Sequence, residues 1–143
     1  MNKLKMLFLS VFVLSLVFSC SKQKRIQNKI SGKWELREMR IVNGQGFTYY
    51  LENVEGELDL NFENNTSSGV VFFQNDDVAN GQAYSIDFEG YSLDVNSDLE
   101  VLNLYVNQER VPFSLVLFNS DDLVIEYYDF PNYQLRKFIF SRN

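Results

Sequence analysis

Residues 57–63, ELDLNFE, alternate polar and apolar side chains without interruption. A two-residue period is typical of a β-strand with one face in water and the other against a core. The same period returns five more times along the chain, at residues 84–88, 91–95, 102–106, 113–117 and 123–127. Most of the chain after residue 30 is therefore predicted to be strand.

Turn-forming residues separate these runs at short intervals. Asn43-Gly44, Asn119-Ser120 and Pro131-Asn132 are examples, since these residue types adopt the backbone angles of tight turns. The spacing predicts about eight to ten strands in a meander, as in an antiparallel barrel or sandwich. Only one short helical turn, about residues 27–30, is expected ahead of the first strand.

The first twenty residues have the pattern of a bacterial lipoprotein signal peptide. Lys3 and Lys5 precede an apolar run, and a small residue, Ser19, stands just before Cys20. The alternatives are a plain secretory signal and a membrane-spanning helix, but the run is shorter than the roughly 20 residues that a spanning helix needs. We expect a signal peptide over residues 1–20 and lipidation, as with palmitate, at Cys20.

The rest of the chain has the size of one domain. Without its first 20 residues, this 143-residue chain is too short for two ordinary domains. Residues 21–30 carry four basic side chains and no acid. They are predicted to be a basic tether that either touches anionic lipid head groups or forms a solvated linker. Residues 31–143 are predicted to form the folded domain.

Composition argues against catalysis. The chain has no histidine, and Cys20 is its one cysteine, so the commonest general base is absent and no thiol remains after acylation. Asp94, Asn96 and Asp98 have the spacing that opens a calcium loop, but the later glycine and glutamate of such a loop are missing, which favours an ordinary turn. We expect no enzyme activity, no cofactor and no metal.

The predicted domain is strongly acidic. Residues 31–143 hold seven basic and nineteen acidic side chains, and residues 41–109 contain no lysine or arginine. Because nucleic acid binding needs clustered basic groups, no nucleic acid partner is expected.

The first predicted strand begins with residues 30–34, ISGKW, which resemble the Gly-x-Trp signature at the start of the lipocalin barrel. The resemblance implies an all-β, antiparallel up-and-down barrel of about eight to ten strands. In that family the glycine lets the chain bend tightly beneath the barrel floor, and the indole plugs the closed end. Gly32 and Trp34 take these roles here.

The last predicted strand offers the third element of the same resemblance. In lipocalins an arginine of the last strand stacks on the tryptophan and donates hydrogen bonds to nearby carbonyl groups. Residues 136–142, RKFIFSR, place Arg136, Arg142 and two phenylalanines on one face by parity. Arg142 is predicted to reach Trp34 and to close the barrel with it.

A lipidated cysteine followed by a short tether and a Gly-x-Trp strand is similar to the lipocalin-like lipoproteins of Gram-negative envelopes. Ser21 stands where lipoproteins of the inner membrane commonly have aspartate, so the resemblance implies a lipid anchor in the outer membrane. The residues after Cys20 lack the acidic signal that such families use for surface export. The expected location faces the periplasm.

The chain is rich in aromatic residues, with 13 Phe, 8 Tyr and 1 Trp. An eight-stranded barrel is just wide enough either to fill itself with side chains or to hold one small ligand. We predict a protein that binds a small apolar or amphipathic molecule. The alternative is a non-catalytic accessory subunit that docks on a larger envelope protein complex. The inward aromatic residues predicted to line the ligand pocket are Phe62, Tyr84, Phe88, Tyr91, Phe113 and Tyr127.

Overall fold

In the part of the chain that the structure describes, nine antiparallel strands form one closed sheet. The computed structural model describes residues 22–51, 53–63, 66–74, 83–95, 100–106 and 108–142; the predicted signal peptide and Cys20 lie outside these ranges. The order is β2-β1-β3-β4-β5-β6-β7-β8-β9, and β1 also pairs with β9, which confirms the predicted up-and-down barrel. The strands are β1 (Gly32–Val42), β2 (Thr48–Leu51), β3 (Glu55–Asn61), β4 (Thr66–Gln74), β5 (Ala83–Val95), β6 (Glu100–Val106), β7 (Glu109–Phe118), β8 (Asp122–Asp129) and β9 (Gln134–Ser141), with a 3-10 turn at Phe130–Asn132.

The strands β2 and β3 pair with the same edge of β1, one after the other. Glu35 pairs with Glu57 of β3, and Met39 pairs with Leu51 of β2. Four positions separate the two residues of β1, whereas six separate their partners. The ring therefore has eight strand positions, and its second position contains a break with two extra residues.

Alternate side chains of the strands fill the interior. In β1, Trp34 and Leu36 are buried, but the next buried residue is Met39 rather than Glu38. The pairing between β1 and β9 shifts at this point, and similar shifts occur in β5 and β7. Each bulge moves the following side chains to the other face of the sheet, so inward positions follow simple parity only between bulges.

A helix over residues 22–30 covers one end of the barrel. Ile26 and Ile30 lie one turn apart and are both buried in the core. Lys22 forms an ion pair of 3.1 Å with Glu100 of β6. The helix is longer than the single turn predicted, because the apolar pair at positions i and i+4 anchors it to the barrel despite its charged sequence.

Gly69 allows β3 and β4 to approach closely. A Cβ atom at this position would overlap the Glu57 carbonyl oxygen and lie 2.9 Å from the Leu58 Cα atom. We expect Gly69→Ala to lower the free energy of unfolding by about 1–3 kcal/mol, because the two strands must move apart. Urea denaturation measures the loss. The exposed neighbour Ser68 supplies the control, since Ser68→Ala should change stability by less than about 0.5 kcal/mol; equal losses would contradict the steric explanation.

Candidate functional site

The end of the barrel beneath the helix is closed around Trp34. The indole is 1% exposed, and its Nε1 donates to the Ile30 carbonyl oxygen at 2.8 Å. The Arg142 guanidinium lies 4.4 Å from the centroid of the Trp34 ring. Its Nη2 donates to the carbonyl oxygens of Lys29 at 2.6 Å and Ser31 at 2.7 Å. One arginine thus joins the helix, the first strand and the chain after the last strand.

Gly32 marks the bend between the helix and β1. Its φ of +113° lies in the region that glycine adopts at little cost. The Ser31 hydroxyl beside it donates to the Leu60 carbonyl oxygen at 3.1 Å. The structure therefore brings the three predicted barrel-closing residues, Gly32, Trp34 and Arg142, together at one end.

Phe88 and Phe113, two of the predicted pocket residues, belong to the packed interior. They are 1% and 0% exposed, and their ring centroids lie 6.1 Å apart in an edge-on arrangement. Phe113 also contacts Phe138, with ring centroids 6.0 Å apart. These rings form an aromatic floor inside the barrel, and protein covers them on all sides.

Phe62, another predicted pocket residue, lies apart from these rings. Phe62 follows β3 at the closed end, where it lines a surface cavity of about 510 Å³ with Gln23 and Gln27 of the helix. For Tyr84 and Tyr91 in β5 the backbone is described and the side chains lie outside the description. A second surface cavity, of about 450 Å³, lies where the start of β1 meets the start of β3, and Trp34 and Glu57 are among its lining residues.

Three polar residues face inward at the end of the barrel opposite Trp34. We name Tyr127, Asp129 and Arg136 the mouth cluster. Arg136 of β9 pairs with Tyr127 of β8 and with the buried Ile41 of β1. Its Nη2 lies 2.7 Å from Asp129 Oδ2, and the two side chains are only 17% and 12% exposed. The mouth of the barrel is thus polar, whereas its floor is aromatic.

Tyr127 connects the mouth cluster to the aromatic floor. Its ring centroid lies 4.9 Å from that of Phe113, and its ring is stacked on Phe138 with centroids 6.2 Å apart. Burial raises the pKa of the Tyr127 hydroxyl above the usual value, and the positive charge of Arg136 partly opposes this shift. The hydroxyl is therefore neutral at physiological pH.

Because the pKa of Tyr127 is raised, the free energy of unfolding should decrease at alkaline pH. Because the folded state holds the proton more tightly than the unfolded state, the contribution is complete below the unfolded pKa of 10.0 and is lost as pH rises through the folded pKa. We expect the free energy of unfolding to fall above about pH 10, and Tyr127→Phe to reduce that fall. Urea denaturation of both proteins at several pH values measures this fall in the free energy of unfolding. The exposed Tyr133 gives the control, Tyr133→Phe; a fall of equal size in both variants would contradict the assignment to Tyr127.

Six exposed aromatic side chains surround the same end of the barrel. They lie on two turns, one between β1 and β2 and one between β8 and β9, and on the parts of β2 and β8 next to these turns. A Cβ atom on Gly44 of the first turn would lie 3.5 Å from the Tyr133 carbonyl oxygen of the second, so the turns touch. Residues 41–51 and 130–135 carry no charged side chain. We name the six residues, which are between 40% and 73% exposed, the aromatic rim: Phe47, Tyr49, Tyr50, Tyr128, Phe130 and Tyr133.

Sequence reasoning singled out Tyr127 of the mouth cluster but not its partners Asp129 and Arg136. The available signal was the parity of β9, which places Arg136 on the same inward face as Phe138. An arginine that faces a small barrel's interior needs an acidic or hydrogen-bonding partner, and Asp129 stands at the inward parity of β8. Within the ranges that the structure covers, no group of three or more histidine, cysteine, aspartate or glutamate side chains is placed to hold a metal ion.

No family model and no curated protein sequence matches this chain. Among solved structures it is similar to a de novo designed fluorescence-activating β barrel, with 13% identity, a TM-score of 0.47, and coverage of 82% of this chain and 96% of that one. Over the described residues, no helix is both long enough and apolar enough to cross a membrane. The lipocalin resemblance stays a prediction that rests on Gly32, Trp34 and Arg142.

Proposed function

We propose that this chain is a lipid-anchored lipocalin-like protein that binds a small amphipathic molecule in the mouth of its barrel. The observation that carries the proposal is the mouth cluster, which faces inward above a floor of aromatic rings. Burying a polar group is costly unless it is hydrogen-bonded, and Arg136 Nε is buried without a hydrogen-bond partner among the described residues. A few convergent polar groups on an apolar surface are typical of small-molecule sites.

The packed floor limits the size of the ligand. Phe113 contacts both Phe88 and Phe138, and all three rings are buried, so the interior below the mouth cluster is filled and the ligand is held above it. The exposed parts of Asp129 and Arg136 are the points that a polar group of the ligand reaches from solvent. A compact molecule with one polar end fits this arrangement.

Native mass spectrometry of the protein, followed by denaturation, tests the binding function. We expect a reproducible small-molecule mass to accompany the protein. The double variant Asp129→Leu/Arg136→Leu replaces the ion pair by apolar side chains, which is close to neutral for stability, and should lose that mass. Tyr128→Ala, on the outer face of the same strand, should keep it. A bare protein mass from the unmodified chain would overturn the proposal.

The anchor and location are part of the same proposal and rest on residues 1–21. We propose that Cys20 carries the lipid and that the protein lies on the periplasmic face of the outer membrane. Labelling with radioactive palmitate should mark the protein and should fail for Cys20→Ser. Separation of the inner and outer membranes shows which of them carries the protein. Cleavage by protease added to intact cells would show that the protein faces outward instead.

The aromatic rim favours a second candidate function, an accessory subunit that docks on an envelope protein complex. Cores of protein interfaces are depleted of charge and enriched in tyrosine and phenylalanine, and anchoring residues of this kind dominate binding energy. The rim has this composition and lies at the end opposite the helix at residues 22–30. A partner would therefore meet the end of the barrel that is farthest from this helix and from the proposed anchor before it.

Crosslinking in the native membrane tests the docking function. We expect a defined larger product for the unmodified protein and its loss in Phe130→Ser/Tyr133→Ser. The control is Val116→Ser, which removes an exposed apolar side chain of β7 away from the rim. Recovery of the monomer alone would exclude docking, and an unchanged product in the rim variant would place the contact elsewhere.

A further inference from the structure

We infer that the mouth cluster selects an uncharged hydrogen-bonding group on the ligand, such as a hydroxyl or a primary amide, over a carboxylate or an ammonium group. This inference rests on the proposed binding function and defines the polar end of the ligand. It follows from two properties of the cluster, its charge balance and its hydrogen-bonding groups.

The charges of the mouth cluster compensate each other. Arg136 and Asp129 form a contact of 2.7 Å and are both largely covered by protein. A ligand carboxylate on Arg136 would place a second negative charge beside Asp129, and a ligand ammonium on Asp129 would place a second positive charge beside Arg136. Like charges repel strongly where water is partly excluded. A neutral group leaves the balance unchanged.

The cluster also has hydrogen-bonding capacity that its own contacts do not use. Arg136 Nε is covered by protein and, among the described residues, has no hydrogen-bond partner. Asp129 Oδ2 accepts from Asn132 Nδ2 at 2.9 Å and contacts Arg136 Nη2, and the two oxygens of a carboxylate can accept more than two hydrogen bonds. A hydroxyl or a primary amide both donates and accepts, whereas a carboxylate only accepts and an ammonium only donates. Neutral groups therefore match both sides of the cluster.

Calorimetric titration of the full chain with four eight-carbon probes tests the inference. Octan-1-ol and octanamide are the neutral probes, and octanoate and octylammonium are the charged ones. We expect both neutral probes to bind about tenfold more tightly, or better, than either charged probe. Equal binding of all four, or tightest binding of a charged probe, would overturn the inference and leave the binding function standing. Failure of all four to bind, together with a bare native mass, would overturn the binding function itself.

Two single variants should switch the preference in opposite directions. Asp129→Asn leaves Arg136 uncompensated, so octanoate should become the tightest probe; Arg136→Met leaves Asp129 uncompensated, so octylammonium should. Asp122→Asn, which removes a carboxylate at the closed end of the same strand, is the matched control and should keep the neutral preference. Circular dichroism checks that each variant is folded. If neither single variant folds, Asp129→Asn/Arg136→Gln, which removes both charges, should still prefer the neutral probes, and a preference for a charged probe would contradict the inference.

Discussion

Replacing Trp34 by alanine should lower the free energy of unfolding by about 3–5 kcal/mol. The indole is almost fully buried beneath the barrel, so its removal leaves a cavity that the closed end cannot fill. The Ile30 carbonyl oxygen loses its donor, and Arg142 loses the ring on which it lies. Three favourable terms are lost together, which places this substitution among the most damaging single changes.

Urea denaturation followed by far-ultraviolet circular dichroism measures this loss without relying on tryptophan fluorescence. Tyr50 provides a matched control, because it is also an aromatic ring beside a guanidinium, that of Arg40 at 5.1 Å, but it is 64% exposed. Tyr50→Ala should cost less than about 1 kcal/mol. Similar losses at the buried and the exposed ring would show that the closed end does not depend on Trp34.

Replacing Arg142 by methionine should lower the free energy of unfolding by about 2–4 kcal/mol. Methionine keeps an apolar stem over Trp34 but cannot donate hydrogen bonds. The carbonyl oxygens of Lys29 and Ser31, which now accept from Arg142 Nη2, would lose charge-assisted donors. Lysine should rescue only part of the loss, because an ammonium group cannot stack as a plane while donating to two oxygens.

A second arginine and a double-mutant cycle separate this contact from a general effect of charge. Arg37 pairs with Asp122 at 3.5 Å at the surface, where its side chain is 60% exposed; Arg37→Met should change stability by less than about 1 kcal/mol. Combining Arg142→Met with Trp34→Ala should show a coupling of about 1–2 kcal/mol. Strict additivity would mean that the two side chains do not stabilise each other.

The strands were predictable wherever one face is dry and the other wet. Leu58 and Leu60 in β3, and Phe138 and Phe140 in β9, are buried as their parity predicts. Parity fails at bulges, since an extra residue in one strand reverses the faces and no sequence period announces it. The break between β2 and β3 was not predicted either. It is defined by how the two strands pair with β1, and no local sequence pattern marks it.

A run that is apolar on both faces gives parity no information. Residues 70–73 of β4 are all apolar, and the sequence could not say which side is buried. The structure buries Val71 and leaves Val70 and Phe72 about two-fifths exposed. Val71 pairs with Gly56 of β3, and Val70 pairs with Glu57. The buried side of this run is therefore given by its register with the neighbouring strand.

The two ends of the barrel differed in how far the sequence revealed them. The closed end depends on Gly32, Trp34 and Arg142, residue types whose combination is rare enough to suggest a shared role. The mouth cluster uses a common ion pair between adjacent strands, and such a pair reads in sequence as two unrelated surface charges. Parity gives the inward direction of each residue, but their pairing becomes visible only when the register of β8 against β9 is known.

The pairing of β1 with β9 has a consequence for the timing of folding. Arg142 donates to a carbonyl group 113 positions earlier in the chain, so the first strand obtains its second neighbour only after the last one has been made. Contacts between such distant residues form slowly. The edge of β1 and the face of Trp34 therefore lack these partners until residues more than a hundred positions later join the fold. We expect the ring to close in one late step of folding that involves both ends of the domain.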